Sequence, residues 1–125
     1  MMELSAQSLS PSAVPAAQLA IDTGHLSRMT LGDQSLAREV LELFDRQAAM
    51  LIARMRESSV PAVVSACAHT LKGSARGIGA FAVASAAEAV ELTAGGSGSL
   101  EGDLARLAQA ISEAKTAIAG LLRAH

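Results

Sequence analysis

Ala68-His69-Thr70-Leu71-Lys72-Gly73-Ser74-Ala75 is the stretch whose reading decides the fold. On a helix, residues three and four apart share a face. Ala68, Leu71, Ala75 and Ile78, with Val64 behind them, then make one apolar row that can enter a core. His69 falls outside that row, with Lys72 and Gly73 stacked beside it and Arg76 one turn further along. The imidazole therefore projects away from the apolar row. It has a cation on one flank and bare backbone on the other, an arrangement suited to accepting a phosphoryl group.

A helix that is apolar on one side must be covered by others, and the flanking sequence supplies them. Pro61 suits the first turn of this helix, predicted over about 61–77, with Gly77 and Gly79 marking its end. Upstream, a helix is predicted from about Gln34 to Glu57, with Asp33 as N-cap and Leu36, Val40, Leu43 or Phe44, Gln47, Leu51 and Met55 at helical spacing. Before it, Ile21 to about Thr30 reads as a short helix with Ile21, His25 or Leu26, and Met29 on one side, ended by Gly32. Downstream, about 80–94 is rich in alanine, which permits close helix–helix approach. Gly95-Gly96-Ser97-Gly98-Ser99 is a flexible loop. The last helix, about 100–122, carries the cleanest period: Leu100, Leu104, Leu107, Ile111, Ala114, Ile118 and Leu121 or Leu122.

Four long amphipathic segments with short links imply an all-α antiparallel four-helix bundle, with an additional short N-terminal helix over one end. Residues 1–20, rich in Ser, Ala, Gln and Pro, read as a flexible tail with a short turn at 15–20, and residues 21–125 as the bundle domain.

Composition agrees. A chain of 125 residues is long enough for one core, half its residues are apolar, and Phe44 and Phe81 are its only aromatics. A net charge of −2 argues against nucleic-acid binding. The single cysteine, Cys67, excludes a disulfide framework or zinc cluster, and its place beside the apolar row makes it a buried inert thiol. No long apolar run or basic leader appears, so no membrane span is expected and a cytoplasmic location follows.

The stretch from Ala68 to Ala75, followed by Gly79-Ala80, closely resembles the signature of the histidine-containing phosphotransfer (HPt) domains of bacterial two-component phosphorelays. Asp33-Gln-Ser-Leu-Ala-Arg-Glu-Val-Leu-Glu-Leu-Phe44 looks like the family's preceding helix, and the resemblance runs from about Ile21 to the C-terminus. It implies that His69 is the phosphoacceptor, with Lys72, Gly73 and Gly79 at the other hallmark positions. One departure is Arg76, where many members carry a small or polar residue. The resemblance also implies the partners: receiver domains of response regulators and hybrid histidine kinases, which supply the aspartate and the Mg²⁺.

The residues support the same chemistry. Phosphoryl transfer asks a protein mainly for positioning and charge stabilisation. Lys72 and Arg76, as exposed cations, would disfavour the protonated imidazole and later face the phosphate. Gly73 removes a side chain where a partner's active site must come close. Ser74 lies in the same docking and phosphate environment. No carboxylate lies one turn from His69 and no nucleotide loop is present, so neither a resident metal nor ATP use is expected. Residues about ten past the turn near 79 return to the level of His69, which points at Glu88 or Glu91 as a partner for the second ring nitrogen.

The expected protein is thus a phosphocarrier without kinase activity of its own. One alternative is a pure adaptor, against which His69 argues. Another is the phosphoacceptor part of a larger kinase, against which the starting Met and the end just after the last helix argue. A monomer is the default for a closed bundle.

Overall fold

A computed structural model describes residues 19–96 and 98–124. Most of the tail assigned to residues 1–20 and of its turn at 15–20 lies outside them, as do Ser97 and His125. Five helices follow in order: α1 (Thr23–Met29), α2 (Gln34–Glu57), α3 (Pro61–Ile78), α4 (Phe81–Ala94) and α5 (Leu100–Ala124). There is no strand among the described residues, so the expected all-α bundle with a short leading helix is what forms.

The helix boundaries follow local chemistry. Asp33 caps α2 by accepting from the Leu36 N–H at 3.0 Å. Asp22 caps α1 in the same way through His25 N–H. Pro61 begins α3, where its missing N–H costs nothing. The sequence suggests Gly77 and Gly79 as the end of α3, but Gly77 remains helical and Gly79 alone turns the chain, at φ +87 in the left-handed region. A Cβ at Gly79 would also stand 2.7 Å from the Asp22 carbonyl oxygen, so glycine is required there twice over.

The core is a single cluster along the bundle axis. Val64, Ala68, Leu71 and Ala75 of α3 meet Val83, Ala87 and Val90 of α4, Phe44 and Met55 of α2, and Leu107, Ala114 and Ile118 of α5. Burying one such leucine or valine contributes about 1.5–3 kcal/mol. The α3–α4 contact is the most extensive of the bundle, as the alanines of both helices allow. Cys67 is buried against α2, as its position beside the apolar row implies.

Two details of the sequence reading need correction. On α2 the buried row is Leu41, Phe44, Ala48, Leu51, Ile52 and Met55, which takes Phe44 over Leu43 where the sequence leaves both open, whereas Leu36 stays at the surface. The N-terminal half of α2 offers two apolar rows, and the bundle uses the one that faces both α3 and α5. On the leading segment, Ile21 and Leu26 are buried but Met29 is exposed, because Thr30, four residues after Leu26, takes the inward position. The turn after α1 places Leu31 as well as Gly32 at positive φ.

α1 closes one end of the bundle. Asp22 N–H donates to the Gly79 carbonyl at 2.9 Å. The His25 ring meets the edge of Phe81 with centroids 5.1 Å apart and planes at 70°.

Candidate functional site

His69 lies midway along α3, one residue after the fully buried Ala68 and two before the fully buried Leu71. Those two anchors fix the rotation of the helix, and the imidazole is consequently 68% exposed. The antiparallel return of α4 brings Glu91 alongside. Its Oε2 accepts from His69 Nδ1 at 2.9 Å across a sequence separation of 22. Of the two carboxylates the sequence leaves open, Glu91 meets the ring and Glu88 does not. Glu88 instead faces Arg76 at 4.0 Å, with both side chains about half exposed.

An ionised carboxylate can only accept, so the neutral His69 ring must carry its proton on Nδ1. Nε2 is left with its lone pair. The free ring nitrogen is therefore selected by a residue on another helix.

Glu91 has a second partner. Lys72 Nζ lies 2.8 Å from its Oε1. Oε1 is shielded from solvent, and the contact is a close ion pair. Lys72 holds the Glu91 carboxyl below the ordinary carboxylate value, burial works against this, and the bond to His69 adds to the lowering. Glu91 thus stays an acceptor for Nδ1 to lower pH than an unpaired carboxylate would.

This changes the reading of Lys72. The sequence suggests an exposed charge standing beside the imidazole, but its side chain is only 14% exposed and its charge is matched by Glu91. The reason is tertiary: α4 places a carboxylate within reach of both residues. Lys72 here orients the group that orients His69. Arg76 is the more accessible cation, and its loose pair with Glu88 is of the kind that contributes little.

Gly73 is exposed, and a Cβ built on it would meet nothing within 4 Å. A helical glycine costs about 1 kcal/mol relative to alanine. No neighbour among the described residues requires Gly73, so its bareness is available to something outside. Gly77, one turn on, is open in the same way. Ser74 is half-buried and takes no part in the His69–Glu91–Lys72 set. The structure thus brings together His69, Lys72 and Glu91, sets Gly73 beside them, and leaves Ser74 and Arg76 at the margin. The second contact of Glu91, to Lys72, is absent from the sequence reading, because it depends on the facing of two helices.

Comparison with known proteins adds one positive finding. The family model described as the Hpt domain matches residues 37–123, so α1 and the first residues of α2 precede the matched part. No curated protein and no solved structure matches the chain.

Proposed function

The chain belongs to the Hpt domain family, whose members are histidine phosphocarriers of phosphorelays that interact with receiver domains of response regulators, and from that premise we propose that His69 Nε2 is its phosphoryl acceptor. The observation that carries the reading is the Nδ1–Glu91 bond on an exposed ring. It leaves one nitrogen lone pair facing outward, where a partner can reach it.

In the proposed step, the Nε2 lone pair attacks the phosphorus of an aspartyl phosphate on a receiver. The N–P bond forms as the P–O bond to the aspartate breaks, and the aspartate leaves as its carboxylate. The His69 ring keeps its Nδ1 proton and becomes a phospho-imidazolium, whose positive charge Glu91 offsets. Lys72 holds Glu91 in place, and Arg76 is free to swing toward the new phosphate. Gly73 leaves room for the partner's loops. The reverse step returns the phosphoryl group to a second receiver. The Mg²⁺ of the reaction is the receiver's, held by its own carboxylates.

Labelling distinguishes this from every competing use of the bundle. The full chain incubated with ATP alone should remain unlabelled, and incubation with a phosphorylated receiver should label it. The label should be lost in acid and kept in base, as a phosphoramidate is. His69→Gln should abolish labelling and His25→Gln should not. Labelling of His69→Gln by the same receiver would overturn the proposal.

A further inference from the structure

Three of the eight large apolar side chains exposed on the described surface lie on α2, namely Leu36, Leu43 and Met50, and Leu31 stands in the turn before it. Leu36, Leu43 and Met50 repeat every seven residues, at 39%, 58% and 63% exposure. A seven-residue spacing keeps side chains in one row along a helix. The row spans about 21 Å at 1.5 Å per residue. It runs on the side of α2 that borders α3, since Leu51 and Arg54 beside it line the shallow groove toward Ala66 and Thr70. The row is not continuous: exposed Glu39 and Arg46 stand between its apolar members, so the case for a partner rests on the order of apolar and charged residues along it.

The order of residues along the row identifies its partner. Leu36 and Met50 stand seven residues to either side of Leu43. Glu39 stands four before it and Arg46 three after it, both exposed. Neither makes an ion pair among the described residues. A two-fold axis through Leu43, perpendicular to α2, lays the row against a copy of itself in the antiparallel sense. Leu43 then meets Leu43, Leu36 meets Met50, and Glu39 meets Arg46, each of the last two contacts occurring twice. Apolar residues fall opposite apolar ones and acid falls opposite base. A surface complementary to itself under a two-fold rotation is what an isologous dimer requires.

We propose that the chain associates with a second copy of itself through α2, antiparallel and centred on Leu43. One helix face is a small contact compared with standard interfaces of about 1,200–2,000 Å². The association is therefore weak, with a dissociation constant on the order of 0.1 mM. The proposal stands apart from the phosphoryl chemistry, because none of its residues belongs to the His69 set.

Sedimentation equilibrium of the full chain, from about 10 µM to about 1 mM, tests it. The wild type should pass from monomer to dimer over that range. Leu43→Asp should stay monomeric while keeping its helical circular dichroism, since the residue is at the surface. Glu39→Arg should weaken association at least tenfold, and adding Arg46→Glu should restore it. A wild type that is monomeric at the highest concentration, or a Leu43→Asp variant that associates like the wild type, overturns the proposal. Failure of the double charge exchange to restore association overturns the two-fold pairing. If the wild type is monomeric and Leu43→Asp instead slows labelling by a phosphorylated receiver, the row is part of the receiver's footprint and not a dimer face.

Discussion

His69 and His25 are both helical, and their surroundings differ in every respect that matters to a nucleophile. His69 stands 68% exposed with its Nδ1 held by Glu91. His25 lies on α1 with its ring packed against Phe81, and its Nε2 is buried without a partner. The ring of His25 serves as an apolar plate that seats the end cap. On the function proposed for His69, the difference teaches that a histidine suited to accept a phosphoryl group needs two external conditions. One nitrogen must be bound, and the other must be reachable.

The sharpest way to break this contrast is to remove the binding condition at His69. Glu91→Ala should slow transfer from a phosphorylated receiver by about ten- to hundredfold, the scale seen when a group that orients a histidine is lost. His25→Ala should leave the same rate within about twofold, on the view that an exposed, oriented ring is what general nucleophilic chemistry needs. Rapid-quench labelling compares the two. Glu91→Gln, which keeps an acceptor but not the charge, should recover part of the loss. If Glu91→Ala transfers at the wild-type rate, orientation by Glu91 is not what separates the two histidines.

Stability should show the reverse order. His25→Ala removes an edge-to-face aromatic contact and should cost about 0.5–1.5 kcal/mol in urea unfolding. His69→Ala removes an exposed ring and should fall within about 0.5 kcal/mol of the wild type. A larger loss at His69 than at His25 would mean that the site, not the cap, depends on its imidazole for folding.

Gly73 sharpens the same point from the backbone side. Gly73→Ala should raise stability by about 0.5–1 kcal/mol, because an added methyl meets nothing among the described residues. Gly73→Leu should keep the bundle and weaken receiver docking. Docking unchanged in the leucine variant would remove the partner-clearance role.

The smallest effect is on acid stability. The Glu91 carboxyl is lowered in the folded chain, chiefly by Lys72. A group lowered on folding contributes stability that is complete above its unfolded value and is lost as pH falls through the folded one. The wild type should therefore lose more stability than Glu91→Gln below pH 4.5, the ordinary value of a glutamate carboxyl, and the two should run parallel above it. Parallel curves throughout would show that the Lys72–Glu91 pair does not couple to folding.

Much of this was legible in the residues themselves. Helix boundaries at Asp33, Pro61 and Gly79 rest on caps and dihedral preferences that act within a few residues. The rotation of α3, which turns His69 outward, follows from the spacing of Val64, Ala68, Leu71 and Ala75. The phase of α2 was less legible. Its N-terminal half carries two apolar rows, and periodicity cannot say which one its neighbours will cover. Leu36 looks like a core residue, and Leu43 and Phe44 look equally eligible, until α3 and α5 are in place and choose Leu41 and Phe44.

The sequence by itself determined that the chain makes amphipathic helices and that one histidine leaves the apolar row, because hydrogen-bonded turns and helical spacing are local. The tertiary structure decided the rest. It chose Glu91 over Glu88, turned Lys72 from a free cation into the partner of that carboxylate, and left the Leu36–Leu43–Met50 row uncovered. Each of these depends on how far α4 or α5 is displaced and rotated against its neighbours. That is set by the summed packing of the whole core, which no short stretch of chain encodes.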